Sequence, residues 1–293
     1  MDVHIDCIPC ITRQVLEVAQ RISREKDGQE VILRKAMQKL LDTKWNITSP
    51  EIANEVHSMI RKMTGINDPY KEIKQKSNFE SQKIVGTIKD KIDQENNKDE
   101  KLRMAILIAI AGNIIDIGPS KDFDVNETIN EFLEKKIQSG DYKLLLESIY
   151  NSDNLLYFGD NAGEIAFDKL LLETMLEVRE KPFKKISFVI KGGPTVNDAT
   201  EEDAKFIGLD RIENLKLLKI SNGEDGTGPK ENSEEVKKWL CEHQLIISKG
   251  QANFEQLSNF DNVFFLLIAK CKLIASILNV EVKSIVIKHN EIK

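Results

Sequence analysis

The chain has 293 residues, of which 41% are hydrophobic and 31% charged, and its 42 basic and 48 acidic side chains give a formal net charge of −6. This length is enough for one large domain or two ordinary ones, and the acidic balance argues against double-stranded nucleic acid as a partner, because proteins that bind it usually carry a basic excess. Without a run of about 18 apolar residues, a signal peptide or a cysteine framework, the sequence predicts a cytoplasmic protein with reduced cysteines and no membrane partner.

The first half of the chain, residues 1 to about 148, is predicted to be an all-helical domain. Apolar residues recur there at spacings of three and four, as they do on the buried face of a helix. The clearest segments are VLEVAQRIS, ILRKAMQKLL, EIANEVHSMIRKM, IVGTIKDKI and LRMAILIAIAGNIIDI. At the start of the third segment, Ser49 is predicted to be the helix cap and Pro50 the first helical residue.

Two cysteines stand near the beginning of this helical half, where Cys7 and Cys10 form a single CxxC motif. A zinc site would need further ligands. The candidates for such ligands are His4, Cys241 and His243. A redox motif would be expected after a first strand rather than at the start of a helix. We therefore interpret the pair as small, buried cysteines, with metal and redox roles as the alternatives, and we expect His57 and His289 at the surface.

From about residue 149 the pattern changes to short apolar runs, each closed by glycine or polar residues. The six runs are NLLYFGD, ISFVIKGG, LKLLKISNG, LIISKGQ, VFFLLIAKC and SIVIKH. Helical stretches such as EIAFDKLLLETMLEV lie between most of them, and this alternation is typical of a mostly parallel sheet with crossover helices. We therefore predict an α/β domain, residues 149–293, with a doubly wound, Rossmann-like sheet. Ligands bind beyond the carboxyl ends of the strands in such a sheet.

Four of the predicted strands end in residues that suit a metal ion and a phosphate group. The polar residues that follow them are Asp160 and Asn161, then Lys191, Asn197 and Asp198, then Ser221, Asn222 and Gly223, and finally Lys249, Gln251 and Asn253. Hard oxygen ligands favour magnesium or manganese over zinc, whereas lysines and backbone N–H groups exposed at glycine favour phosphate. Each residue alone also has a structural interpretation, as a helix cap, a solvated lysine or a turn. Their repetition at one edge of one sheet favours phosphoryl chemistry.

The same motifs resemble those of a known family. GDNAGE (159–164), KGGPTVNDAT (191–200), KGQANFE (249–255) and AGNIIDIG (111–118) are similar to the motifs of the metal-dependent damage-control phosphatases. That family was formerly a domain of unknown function, and some of its relatives are called acidic-residue methyltransferases. The resemblance spans nearly the whole chain, including the CxxC. It implies an α/β domain with an attached helical domain, phosphorylated metabolites as substrates, and a divalent metal ion held by Asp160, Asn161 and Asp198.

The resemblance also implies that Asn113 and Asp116 belong to the wall of the active site. They would be carried by the last helix of the helical domain, about 101–118, on which residues three apart share a face. The alternative is an ordinary helix end capped by Gly118. The oxygen ligands proposed above predict Mg²⁺, Mn²⁺, Co²⁺ or Ni²⁺ as the cofactor.

These features predict an enzyme that hydrolyses phosphomonoesters of small metabolites, such as sugar phosphates. The predicted catalytic residues are Asp160, Asp198, Glu164 and Lys191. Direct attack by water, oriented by Glu164 or Asp198, is favoured over attack by Asp160, although Glu164 has an equal alternative as a first-turn acid of its helix.

Lysine side chains at two strand ends, Lys191 and Lys249, are predicted to contact the phosphoryl group. The predicted substrate-binding residues are Asn113, Asp116, Asn197, Ser221, Asn222, Gly223, Lys249, Gln251 and Asn253. One alternative function is a phosphometabolite-binding protein without turnover. A less favoured one is an S-adenosylmethionine-dependent carboxyl methyltransferase, because GDNAG matches its glycine-rich loop only loosely. No GxGxxG or GxxxxGK[ST] motif supports dinucleotide or P-loop chemistry.

Overall fold

A computed structural model describes residues 1–112, 125–134, 137, 141–221, 228, 230 and 233–291. The helices of this part of the chain are α1 (Cys7–Ile22), α2 (Lys26–Asp42), α3 (Ser49–Thr64), α4 (Lys71–Gln94), α5 (Lys98–Ala111), α6 (Val125–Glu134), α7 (Asp141–Asn151), α8 (Glu164–Val178), α9 (Glu201–Phe206), α10 (Glu234–Glu242), α11 (Gln251–Leu257) and α12 (Lys272–Leu278). The strands are β1 (Asn154–Phe158), β2 (Lys185–Lys191), β3 (Leu215–Ile220), β4 (Leu245–Lys249), β5 (Phe264–Ile268) and β6 (Ile285–His289). Among the described residues we find no helix with the length and apolar character that a membrane span requires.

The six strands form one sheet in the order β3-β2-β1-β4-β5-β6. All neighbours are parallel except β6, which runs antiparallel to β5. The chain builds the sheet outward from β1 through β2 and β3, then returns to the other side of β1 with β4. The point at which the strand order reverses, between β1 and β4, is where such sheets open a crevice for ligands. The predicted fold class, a doubly wound and mostly parallel α/β sheet with helices before it, is confirmed.

Helices cover both faces of the sheet. One face of β1 and β2 is built around Tyr157 and Phe188, whose rings stack with centroids 5.1 Å apart, and it packs against α5 and α8. The opposite face packs against side chains of α10, α11 and α12. Burying one Leu, Ile or Phe side chain stabilises a fold by about 1.5–3 kcal/mol. The apolar runs of the central strands β1, β4 and β5 are uninterrupted because helices cover both faces of the sheet there.

The helices of the first half divide between two cores. Helices α1, α2 and α3 pack on one another around their own apolar cluster, which includes Val15, Ile52 and Ile60. Helices α4 to α7 instead contribute to the cluster that covers the sheet, through side chains such as Ile88 of α4 and Ile106 of α5. The core of the sheet therefore extends on both sides of residue 148. The two domains with a boundary at that residue stay a prediction.

The start of α3 differs from the prediction by one residue. Thr48, not Ser49, is the cap: its hydroxyl accepts a hydrogen bond from the Glu51 N–H, and the Glu51 carboxylate accepts one from the Thr48 N–H. This reciprocal capping box satisfies two N–H groups that the helix leaves without partners. Ser49 becomes the first helical residue and Pro50 the second.

Three predictions about exposure are wrong. Cys10 is exposed, whereas Cys7 is partly buried, and all four cysteines are free. His57 and His289 are buried, at 3% and 9% exposure. The ring of His289 stacks on Phe264 of the neighbouring strand β5. This contact accounts for its burial, although β6 is an edge strand. A signal was present for both, because His289 continues the alternation of Ile285 and Ile287, and His57 lies three residues before Ile60 on the same helix.

Candidate functional site

The loops after β1 and β2 are joined to each other by their backbones. Asn161 and Asp198 form an antiparallel bridge. On either side of it, the Ala162 N–H donates to the Asn197 carbonyl at 2.9 Å, and the Ala199 N–H donates to the Asp160 carbonyl at 2.9 Å. The three predicted metal ligands, Asp160, Asn161 and Asp198, are therefore carried by one hydrogen-bonded unit at adjacent strand ends.

A glycine at the end of β4 makes room for the Asp160 carboxylate. A Cβ atom at Gly250 would lie 1.9 Å from Oδ2 of Asp160, which no real contact allows. Gly250 also has φ of +83°, a backbone conformation that side chains strongly disfavour. The Asp160 carboxylate, which follows β1, thus packs against the backbone of Gly250, which follows the neighbouring strand β4. From the sequence, Gly250 was interpreted only as one of the glycines that expose backbone N–H groups to a phosphate.

The side chain of Asn161 is oriented by Glu164. Its Nδ2 donates to Glu164 Oε1 at 2.6 Å, so the amide oxygen points away from this bond and is left to accept from, or coordinate, another group. Glu164 opens α8 and is only 5% exposed. Burial first, and the charge of Asp160 second, raise the pKa of Glu164 to about 8. In the metal-free protein this carboxyl therefore retains a proton near neutral pH.

Positive side chains surround Asp160. Burial raises the pKa of its carboxyl, and the lysines that oppose this rise are Lys270, Lys249 and Lys191, with Lys270 acting most strongly. Lys270 follows β5 and is exposed, and its backbone N–H donates to the side chain of Gln251. Lys270 was not among the residues predicted from the sequence, because that prediction rested on only four strand ends. A signal was present, since VFFLLIAKC closes with a lysine as β2 and β4 do.

Lys249 is not a solvated strand-end lysine. It is 1% exposed, and its Nζ donates to Asp168 Oδ1 at 2.7 Å and to the Ala109 carbonyl at 2.5 Å. Tyr157 donates its hydroxyl to the same Asp168 oxygen at 2.8 Å. An ammonium ion this deep needs such partners, because leaving it unpaired would cost several kcal/mol. Two of the three N–H groups of Lys249 are therefore engaged inside the protein, and its contact with the phosphoryl group stays a prediction.

Two further predicted substrate residues use their side chains to tie loops together. Asn253 donates Nδ2 to the carbonyls of Gly159 and Lys249, at 3.0 and 2.8 Å, and so joins the ends of β1 and β4. Gln251 donates to Glu255 and accepts from the Lys270 N–H. These amides hold the loops together, and the contacts of Gln251 and Asn253 with substrate stay predictions.

Lys191, Asn197 and Ser221 lie at the same edge of the sheet. Lys191 is the last residue of β2 and is partly buried, Asn197 precedes Asp198, and Ser221 follows β3 with 6% exposure. Their roles toward substrate stay predictions. The other predicted substrate residues, Asn113, Asp116, Asn222 and Gly223, lie outside the described residues.

The loop after β2 contains a residue in an unfavourable conformation. Val196 has φ of +43°, which is a genuine outlier for a β-branched side chain. Its side chain packs against the apolar cluster of α1, α2 and α3. Strain of this kind, about 1–3 kcal/mol per residue, persists only where the surrounding structure enforces it. Helices from the first half of the chain therefore shape the loop that carries Asp198.

Known proteins are similar to this chain over nearly its whole length. Three relatives align over most or all of their lengths. An uncharacterized protein of Methanocaldococcus jannaschii is 34% identical over 94% of this chain and 92% of its own. A damage-control phosphatase of Pyrococcus horikoshii is 33% identical over the full length of both chains. A damage-control phosphatase of Archaeoglobus fulgidus is 30% identical over 96% of this chain and 97% of its own.

The fold has a close counterpart among solved structures. The crystal structure of a DUF89 family protein from Pyrococcus horikoshii matches with a TM-score of 0.85 and 29% identity, over 99% of this chain and 100% of that one. The family model of the damage-control phosphatase ARMT1-like domain matches residues 3–286. The resemblance noted in the sequence is confirmed, and the chain belongs to the damage-control phosphatase ARMT1-like domain family.

Proposed function

We propose that this protein is a metal-dependent phosphatase that hydrolyses phosphomonoesters of small metabolites, sugar phosphates among them. Relatives named damage-control phosphatases support the phosphatase activity. The single observation that carries the proposal is the bridge between Asn161 and Asp198. It joins the two loops that carry Asp160, Asn161 and Asp198, at the edge of the sheet where β2 ends in Lys191 and β4 ends in Lys249.

The donor set fits a hard divalent ion. Asp160 has a carboxylate accommodated by Gly250, and Asn161 has an amide whose nitrogen is already bonded. Among the described residues no three His, Cys, Asp or Glu side chains form a candidate metal cluster. The proposed site does not require one, because its third ligand is an amide. A divalent ion held by Asp160, Asn161 and Asp198 would supply Lewis-acid charge to a phosphate ester.

The remaining residues have roles toward the substrate. Lys191 and Lys270 act as point charges for phosphoryl oxygens, because both act on the Asp160 carboxyl. In the proposed reaction a water oxygen bonds to phosphorus, the ester P–O bond breaks, and the proton lost by water ends on the departing alcohol. Glu164 or Asp198 orients that water. A carboxylate that coordinates a metal ion is a poorer nucleophile than a free one, so we favour direct attack by water over attack by Asp160.

The direct test is release of inorganic phosphate from fructose and glucose phosphates. Purified protein is assayed with Mg²⁺ or Mn²⁺, then after dialysis against chelator, beside the variants Asp198→Asn and Asp210→Asn. We expect metal-dependent turnover that Asp198→Asn lowers by more than tenfold. Asp210, an exposed acid, is the matched control and should leave turnover unchanged.

Three outcomes would change the proposal. Turnover that survives complete metal removal would contradict a metal-dependent mechanism. Phosphoester binding without any release of phosphate would favour a binding protein instead. The stereochemical course at a chiral phosphorus separates the two enzymatic routes: a single in-line displacement by water inverts the configuration, whereas a covalent phosphoenzyme on Asp160 requires two displacements and retains it.

A further inference from the structure

Helix α4 presents polar side chains to the candidate site, and none of them has a role in the function proposed above. Lys74, Asn78 and Ser81 lie about one turn apart on this helix and are 3%, 1% and 5% exposed. The helix packs against α8 and α9, the helices that follow the loops of Asp160 and Asp198. Polar groups buried this completely need hydrogen-bond partners. The partners of Asn78 are on the loop after β1 and in the first turn of α9.

Asn78 uses both ends of its amide. Its Oδ1 accepts from the Gly163 N–H at 2.7 Å, and its Nδ2 donates to Asp203 Oδ1 at 2.8 Å. Gly163 lies between Asn161 and Glu164 in the loop after β1. Asp203 lies in the first turn of α9, directly beyond the loop after β2. One side chain of α4 thus connects the two segments that carry the candidate metal ligands.

Asp203 is itself held firmly. Its Oδ2 accepts from the N–H and the hydroxyl of Thr200, at 2.9 and 2.7 Å. Lys74 Nζ lies 3.4 Å from the same oxygen and 2.8 Å from Asp68. The buried negative charge is therefore balanced by a buried positive one, which such a carboxylate requires. Asn78 bonds to a fixed anchor rather than to a mobile surface acid.

Glycine allows the helix to approach the loop closely. Gly163 has φ of +82°, and a Cβ atom there would lie 2.3 Å from Ser77 Oγ. The backbone of the loop therefore lies directly against α4. A displacement of Gly163 would be transmitted to Asn161 and Glu164, which flank it and bond to each other.

From this geometry we infer that Asn78 is a positioning residue of the phosphatase site. It holds Gly163 against Asp203, and through Gly163 it sets the positions of the Asn161 amide and the Glu164 carboxyl. The inference rests on the proposed function. Asparagine suits the role because it offers an acceptor and a donor at once. Aspartate keeps the acceptor but loses the donor, and its charge would face Asp203.

The test compares Asn78→Ala and Asn78→Asp with Ile88→Val. Ile88 is on the same helix and fully buried, so its truncation destabilises the fold without touching the loops. In metal-free protein, NMR-detected hydrogen exchange of the Gly163 amide should become at least tenfold faster in Asn78→Ala and stay protected in Ile88→Val. Mn²⁺ affinity by calorimetry, and kcat and KM with a sugar phosphate, are measured on the same samples.

For Asn78→Ala we expect kcat to fall more than tenfold with a smaller change in KM, and Mn²⁺ to bind more weakly. Asn78→Asp should keep part of the Gly163 protection, and it remains informative if the alanine variant does not fold. Unchanged Gly163 exchange, Mn²⁺ affinity and kcat in both Asn78 variants would overturn the inference. If the wild type itself neither binds Mn²⁺ nor releases phosphate, the proposed function fails, and the exchange measurement still tests the contact of Asn78 with Gly163.

Discussion

Asp160 is a carboxylate whose charge depends on its neighbours. Burial opposes ionisation, and the three nearby lysines favour it. Two of these lysines differ in accessibility: Lys249 is fixed in a buried ion pair, whereas Lys270 is exposed. An exposed lysine beside the proposed metal ligands is available to an incoming phosphate. We therefore propose that Lys270 contacts the phosphoryl group, as the sequence predicts for Lys191 and Lys249.

Replacing Lys270 by methionine tests that assignment. We expect Lys270→Met to lower kcat/KM for a sugar phosphate by more than tenfold, which corresponds to about 1.4 kcal/mol of transition-state stabilisation. Lys272→Met, an exposed lysine two residues further on, is the matched control and should retain wild-type rates. Equal rates in the two variants would remove Lys270 from the site.

Buried His57 predicts how stability depends on pH. Burial first, and then the charge of Arg61, lower the pKa of His57 to about 4. The folded state keeps the ring neutral, whereas the unfolded chain takes up a proton below about pH 6.5. The stabilisation of the folded state that follows from a neutral His57 is therefore fully present above pH 6.5. It is lost as the pH falls toward 4, and the loss in unfolding free energy is at most about 3 kcal/mol.

Urea unfolding of metal-free protein between pH 4.5 and 7.5 measures this loss. His57→Gln should reduce the slope of unfolding free energy against pH, and His4→Gln, at an exposed position, should leave it as in the wild type. Burial also lowers the pKa of His243 and His289, so part of the slope is expected to persist. If the slope of unfolding free energy against pH is identical in the wild type and both variants, buried His57 does not contribute to the pH dependence of stability.

At the scale of elements, the strand ends were the most predictable part of the molecule. All six strands were found from short apolar runs, which exposed lysines interrupt only in the edge strands β3 and β6. The site follows from the carboxyl ends of parallel strands. Side-chain contacts between residues that are far apart in the chain could not be predicted from any local pattern in the sequence. Lys249 meets Asp168, 81 residues away, and Asn78 meets Asp203, 125 residues away. Only the packing of helices on the sheet brings those pairs together.

The contact between β4 and the β1 loop gives a prediction at this scale. Gly250→Ala should abolish detectable metal binding, because a methyl group there would displace the Asp160 carboxylate and the backbone has φ of +83°. Gly86→Ala is the matched control: this glycine lies inside α4 with open space around its Cβ position, and alanine should stabilise the helix by up to about 1 kcal/mol. Calorimetric metal titration of both variants provides the measurement. Wild-type metal affinity in Gly250→Ala would disprove the assignment of the Asp160 carboxylate.

At the scale of the whole molecule, parts of both halves of the chain meet at the site. Helix α4 reaches the β1 loop through Asn78, and the cluster of α1, α2 and α3 holds Val196 of the β2 loop. A ligand that binds only the folded arrangement stabilises the entire molecule by mass action. Metal binding should therefore be visible in global unfolding.

We expect Mn²⁺ at 100 times its dissociation constant to raise the unfolding free energy by about 2.7 kcal/mol. The rise should disappear with excess chelator and in the Asp198→Asn variant, and it should persist in Asp210→Asn. Thermal unfolding followed by circular dichroism, with and without metal, provides the measurement. An equal shift in Asp198→Asn would mean that the ion binds elsewhere.

Val196 also bears on whether this site can be transplanted. A peptide with the sequence KGGPTVNDAT has no tendency of its own to adopt a positive φ at valine, because the β-branched side chain disfavours it. The shape of the loop is enforced by helices more than a hundred residues earlier in the chain. Copying the motif alone into another α/β scaffold would therefore reproduce its sequence without its backbone conformation. A designed site would also need the helices that pack against Val196.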